Sequence, residues 1–172
     1  MRKIINLAKA ESRSSQLYAI DTGTDPILIQ NNSGIVPLLG VRLNANSQDS
    51  KLSITSFTTL AVTNDEYSYV WLLNPTLDTP PTWTPPGSNP QNLGTVSDVF
   101  IGDGSQRISP GNEGIKLVSG YEARRSAELN NYTGHQRTLG VSGGVSNELF
   151  LCIREINNDL GVFASIMRDE LL

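Results

Sequence analysis

The sequence predicts an all-β protein: an antiparallel β-sandwich, jelly-roll-like, with a short N-terminal arm or helix. Three observations predict it. About ten strand-like apolar runs recur at a spacing of roughly 8–15 residues. Charged residues are only 17% of the chain and hydrophobic residues 38%, and Ser, Thr, Asn, Gly and Pro, the turn-formers, fill much of the rest. No segment sustains the 3.6-residue apolar period of a long helix. A length of 172 residues fits one domain with a real core, without disulfide staples.

Residues 1–13 stand apart. Met1, Ile4, Ile5 and Ala8 can share one face of a short helix, but such a helix is too short to hold alone in water. The segment must dock, either on its own domain or, as an arm, on a neighbouring subunit. A single sandwich domain is expected over residues 14–172. "QLYAI" reads as a strand, followed by the turn cluster "DTGTDP"; "ILIQ" is a strand, followed by "NNSG". "IVPLLGVRLN" holds Pro37 and Gly40. Proline donates nothing to a ladder, so this strand is an edge strand or a bulged one.

"KLSITSFTTLAV" is the longest β-type run. Leu52, Ile54, Leu60 and Val62 share one parity, and Lys51, Ser53 and Thr55 take the other. Phe57 breaks the alternation and predicts a bulge or bend near Ser56. "YSYVWLL" follows a turn and sets Tyr67, Tyr69, Trp71 and Leu73 on one face. Hairpin pairing with the preceding strand is expected.

Residues 74–94 hold six of the nine prolines, which stiffen the segment and exclude regular sheet. Trp83 lies in its middle. It either contacts another molecule or folds back to cap its own sheet. "SDVFI" and "IKLV" are short strands around the turn "GDGSQ". "YEARRSAEL" has the residue types of a short helix, but a strand over Tyr121–Arg124, continuing past a bulge at Gly120, is preferred. "NNYTGHQ" and "GVSGGVSN" are loops around the weak strand "RTLGV". The last stretch, "ELFLCIREINNDLGVFASIMRDELL", is apolar on one face of each run and partly apolar on the other. It reads as two neighbouring central strands, a hairpin that closes a sheet.

No catalytic, cofactor or metal site is expected. His135, the one histidine, lies in a polar loop without a nucleophile motif beside it. Cys152 sits in an apolar run and reads as a small buried hydrophobe. Zinc needs three or four His or Cys ligands, and Asp103, Asp65 and Glu66 lack the spacing of a calcium loop. No phosphate loop is present. The net charge of −4 and the lack of a basic stripe argue against nucleic acid; the close cationic pairs are Arg2–Lys3 and Arg124–Arg125. Nothing approaches the roughly 20 apolar residues of a membrane helix, and "MRKIINLAKA" lacks the apolar length of a signal peptide. Synthesis in a cytoplasm is expected.

Residues 111–172 carry a further pattern. "GNEGIKLVSGYEARRS", a glycine-rich loop, then a strand of the form LxLxxR, then VxASI and an acidic ending resemble small structural proteins of tailed-bacteriophage virions. The resemblance implies a non-enzymatic virion protein, most like a capsid decoration or cement protein that stabilises contacts between capsid subunits. Such proteins are often β-sandwiches or β-tulips, often trimeric, with an N-terminal arm reaching across the surface. It further implies the major capsid protein or other virion proteins as partners, a homo-oligomer, and a place in the virion after assembly in the host cytoplasm. Ile4, Ile5, Leu7 and Trp83 are then the candidate interface residues, and no nucleic acid or membrane is contacted. A tail or neck adaptor, or a carbohydrate- or receptor-binding module of a tail fibre, is the alternative.

Overall fold

The computed structural model describes residues 14–47, 49–63, 65–122, 127–131, 138–142 and 144–171. Thirteen strands are assigned among them: β1 (Ser15–Asp21), β2 (Ile27–Ile29), β3 (Val36–Leu43), β4 (Lys51–Ala61), β5 (Tyr67–Leu73), β6 (Ser97–Ile101), β7 (Ile115–Glu122), β8 (Ala127–Asn131), β9 (Thr138–Leu139), β10 (Val141–Ser142), β11 (Val145–Ser146), β12 (Leu149–Glu155) and β13 (Leu160–Leu171). The helical content of the described residues is one 3-10 turn, Pro90–Asn92. β8 and the small β10–β11 ribbon fall where the sequence suggests a helix or loops.

The strands form two antiparallel sheets packed as a sandwich. Sheet A has the order β1-β13-β4-β8, with β2 beside β13 and β9 beside β4. Sheet B has the order β6-β3-β12-β5-β7. Set aside the short pieces and the edge strand β6, and eight strands remain. Sheet A takes the first, eighth, third and sixth of these; sheet B takes the second, seventh, fourth and fifth. That is the winding of a jelly roll.

The winding corrects two pairings expected from sequence. β4 and β5 do not form a hairpin; the turn between them crosses from sheet A to sheet B. β12 and β13 are not neighbours either. β12 lies between β3 and β5, while β13 lies between β4 and the β1 and β2 edge. Each is central in its own sheet, so both runs are apolar for the expected reason, but the polar link "INND" bridges two layers. Alternation shows that a strand is half-buried and does not show which strand it pairs with.

The bulges follow the sequence more closely. The β4–β13 register slips between Ser56 and Ile54, so Thr55 is the extra residue. Beyond it the parity flips. Phe57, Thr59 and Ala61 point into the core, whereas Leu60 and Val62, expected inside, point out. Pro37 sits at a second slip, opposite Cys152, in a strand that is bulged and not at an edge. In β7 the slip falls at Leu117, not at Gly120. Gly120 is needed for another reason: a Cβ there would lie 2.4 Å from the Tyr69 hydroxyl oxygen on the paired strand.

The main core lies between the sheets. Ile20, Ile54, Phe57, Val162 and Ile166 of sheet A meet Val41, Trp71, Leu151 and Ile153 of sheet B. Phe57 stands edge-on to both Tyr69 and Trp71, at 5.2 and 5.4 Å between centroids.

Candidate interaction surfaces

The two outer faces of the sandwich differ. On sheet B, Phe100, Phe150, Leu72 and Cys152 alternate outward from β6, β12 and β5, and all four are buried. The chain itself covers them. Leu77 and Ile108 bridge to each other across this face, and Trp83 packs on it, 6.1 Å from Phe100 and 5.4 Å from Phe150 between centroids. The neighbouring Thr84 exchanges two backbone hydrogen bonds with Val99, donating at 2.7 Å and accepting at 3.0 Å. The proline-rich segment is thus an added edge to β6 and a lid over sheet B. Proline-flanked residues have a stiff path, and Thr84 keeps the N–H that such an edge needs.

Trp83 takes the fold-back arrangement. Its ring is half-buried and lies against the Arg42 guanidinium, 4.5 Å from the centroid. Arg42 is in turn held by Asp98 at 2.9 Å and Glu148 at 2.8 Å, and Asn44 donates to the other Asp98 oxygen at 2.8 Å. Ile4, Ile5 and Leu7 lie outside the described residues, as does His135.

The outer face of sheet A is different. Leu28 is 70% exposed, Leu17 56%, Val62 39% and Met167 36%. Pro26, Leu28 and Val62 converge above Gly161, whose missing side chain leaves them room: a Cβ there would lie 2.6 Å from Val62 Cγ2 and 3.6 Å from Leu28 Cδ2. Phe163 and Leu60 are directly opposed in the next row, both half-buried. Below them is a shallow depression of about 310 Å³, lined by Asp21, Thr22, Gly23, Thr58, Leu60, Phe163, Ala164 and Ser165. Ala19 opposite Met167, then Leu17 opposite Asp169, extend the stripe to the far end. Thr58, Ser165 and Asp21 interrupt the row at the depression and Asp169 lies beside Leu17; exposed apolar residues grouped in this way mark contact with another molecule better than single ones do.

Between the sheets, the inward parity of Val162, Ala164 and Ile166 continues to Arg168 and Glu170, both fully buried. Arg168 Nε lies 3.0 Å from Glu170 Oε1 and also donates to Ser97 Oγ at 3.0 Å. Ser97 Oγ donates to Glu170 as well, and Val96 N–H donates to its other oxygen at 2.7 Å. The Arg168 guanidinium stacks near Tyr18, at 5.6 Å. Burial pulls its pKa below the ordinary value, and the Glu170 carboxylate opposes that. This pair ties the end of the proline-rich segment to the last strand.

Cys152 is fully buried, and burial pushes its thiol pKa well above the ordinary value. Asp103 accepts from the Ser105 hydroxyl and backbone N–H, which hold its carboxyl below the ordinary value and make it a turn cap. Among the described residues, no group of three or more His, Cys, Asp or Glu side chains is placed to hold a metal ion.

No protein-family model matches the sequence, and no curated protein matches it. Several solved structures resemble it weakly. A structure of infectious bursal disease virus, Gx strain, matches at TM-score 0.32 and 10% identity over 91% of this chain and 32% of that one. A bacterial lipoprotein from Bacteroides thetaiotaomicron matches at TM-score 0.26 and 11% identity, covering 95% of this chain and 90% of that one. T=1 particles derived from infectious bursal virus match at TM-score 0.25 and 13% identity, covering 92% of this chain and 40% of that one. The chain spans about a third of the length of the first of these.

Proposed function

We propose that this protein is a non-enzymatic structural subunit of a virion, a capsid decoration or cement protein that acts as a homo-oligomer and stabilises contacts between capsid subunits. The observation that carries the reading is the contrast between its two outer faces. Sheet B is closed by the chain's own lid, with Trp83 seated on it. Sheet A presents Leu17, Leu28, Val62 and Met167 to solvent. A chain that shields one apolar face and leaves the other open is suited to place the open face against protein. The buried Arg168–Glu170 pair is bonded internally, which suits a rigid building block. The major capsid protein is the expected partner, in a particle assembled in the host cytoplasm.

The test is co-sedimentation of the purified protein with expanded, undecorated capsids of a tailed phage that encodes it, and separately with its purified tails. Saturable binding to capsids is the expected outcome. Binding to tails alone would replace decoration with an adaptor role. Binding to neither, together with hits on a glycan array, would replace both with a carbohydrate-binding module.

A further inference from the structure

We propose that residues 1–13 of one copy bind the outer face of sheet A of a second copy, seating Ile4, Ile5 and Leu7 on the strip that runs from Leu28 to Leu17. This rests on the reading of the protein as an assembling structural subunit and names what covers its open face.

Three observations carry it. The first is charge. Residues 1–13 contain Arg2, Lys3, Lys9 and Arg13 against Glu11, a net +3; the rest of the chain has nine Lys and Arg against sixteen Asp and Glu, a net −7. A basic segment on an acidic body is drawn to another such body. On the strip itself Asp21 lines the depression and Asp169 flanks Leu17, with Lys51 the cation at the far end of the same face. The second is shape. The depression of about 310 Å³ is lined on the outer face by the side chains of Leu60 and Phe163 and is roomy enough for an aliphatic side chain.

The third is where the described chain begins. β1 starts at Ser15, opposite Leu171, and runs toward Asp21 at the depression. For its own residues 1–13 to reach that depression, the chain would have to reverse just before Ser15 and run back about 20 Å along β1. No Gly or Pro occurs between Ala8 and Thr22 to ease such a reversal. Fully extended, residues 1–13 reach at most about 43–47 Å, enough to meet the face of a second copy. An arm-to-face contact is heterologous, and it closes into a ring when the rotation allows.

Two variants that each carry one added cysteine test it, one Leu7→Cys and one Thr58→Cys, with the buried Cys152 left in place. Oxidation of their mixture should give a disulfide-linked pair of chains that neither gives alone. Thr58→Arg, which fills the depression with positive charge, and deletion of residues 1–13 should each lower the molar mass by light scattering to that of a single chain. The far-ultraviolet circular dichroism should stay unchanged. An intrachain disulfide in the Leu7→Cys/Thr58→Cys double variant, with none in the mixture, would overturn the proposal in favour of self-docking. An oligomer that survives both Thr58→Arg and the deletion would overturn it as well. Capsid binding is read separately: capsid binding by the wild type together with no disulfide in the variant mixture sinks the arm alone, whereas a confirmed arm without capsid or tail binding sinks the virion reading.

Discussion

At the scale of single residues, the Arg168–Glu170 pair decides most. Both side chains are fully buried, so removing one partner leaves a buried charge without the opposite charge of its pair. Arg168→Met is expected to cost about 3–5 kcal/mol in urea unfolding. Arg168→Met/Glu170→Leu should recover part of that and not all, because Val96 N–H and Ser97 Oγ lose their acceptor, at roughly 1–3 kcal/mol for each buried donor left over. A double variant as stable as the wild type would show that the pair serves packing alone. Cys152 gives a pH test. Its thiol pKa is raised in the folded chain, so above the ordinary value of 9.0 the unfolded chain loses a proton that the folded one keeps. Stability present below that pH is therefore lost as pH rises past it, at up to about 1.4 kcal/mol per pH unit. Unfolding midpoints at pH 8 and pH 10 should fall further for wild type than for Cys152→Ala; equal falls would mean that the thiol titrates alike in both states.

At the scale of elements, the segment 74–94 behaves as part of the fold. Trp83 covers Phe100 and Phe150, and Thr84 closes the β6 edge. Trp83→Ala is expected to cost about 2–3 kcal/mol, below the range for a fully buried tryptophan because the ring is half-buried. The Thr84 amide should then lose its protection from hydrogen exchange; protection that survives the substitution would show that the edge holds without the ring. The sequence made the stiffness and the tryptophan visible but not which surface the ring would meet, since that surface comes from β3, β6 and β12. The strands themselves were legible from alternation, and the bulge near Ser56 from Phe57 falling out of step. What alternation cannot carry is partner choice, so β12 and β13 read as a hairpin although they lie in opposite layers. The open strip on sheet A was half-legible. Phe163 and Met167 stood on the second face of an apolar run, but a central strand buried on both sides gives the same pattern. Arg168 and Glu170 also lay on the inward parity, yet their charge argued for water. The groups that satisfy them sit at residues 96 and 97, more than seventy positions away.

At the scale of the whole molecule, the jelly-roll winding makes the first described strand pair with the last. Ser15 faces Leu171 and Asp21 faces Ser165, so the ladder that holds β1 forms only after nearly the whole chain has been made. Non-local pairing of this kind slows folding, and it also sets the two ends of the sandwich side by side. Paired residues in an antiparallel ladder lie about 4.5–5.5 Å apart. A short flexible linker can therefore join the Leu171 end of β13 to the Ser15 end of β1 without strain. New ends can be opened between Gly87 and Ser88, both exposed in the proline-rich segment. In that permuted chain β13 and β1 become a hairpin, and the most distant pairing turns local. The permutant, which lacks residues 1–13, is expected to fold with the same circular dichroism and to refold faster in stopped-flow fluorescence through Trp71 and Trp83. Its lid stays anchored on one side of the cut by Thr84 and on the other by Val96 and Ser97, so the loss in stability should be small. Refolding no faster than the parent would place the rate-limiting step in the crossings between sheets. A permutant that did not fold at all would mean that residues 1–13 or the continuity of the lid hold the sandwich together, and the arm could then no longer be treated as separable from the domain.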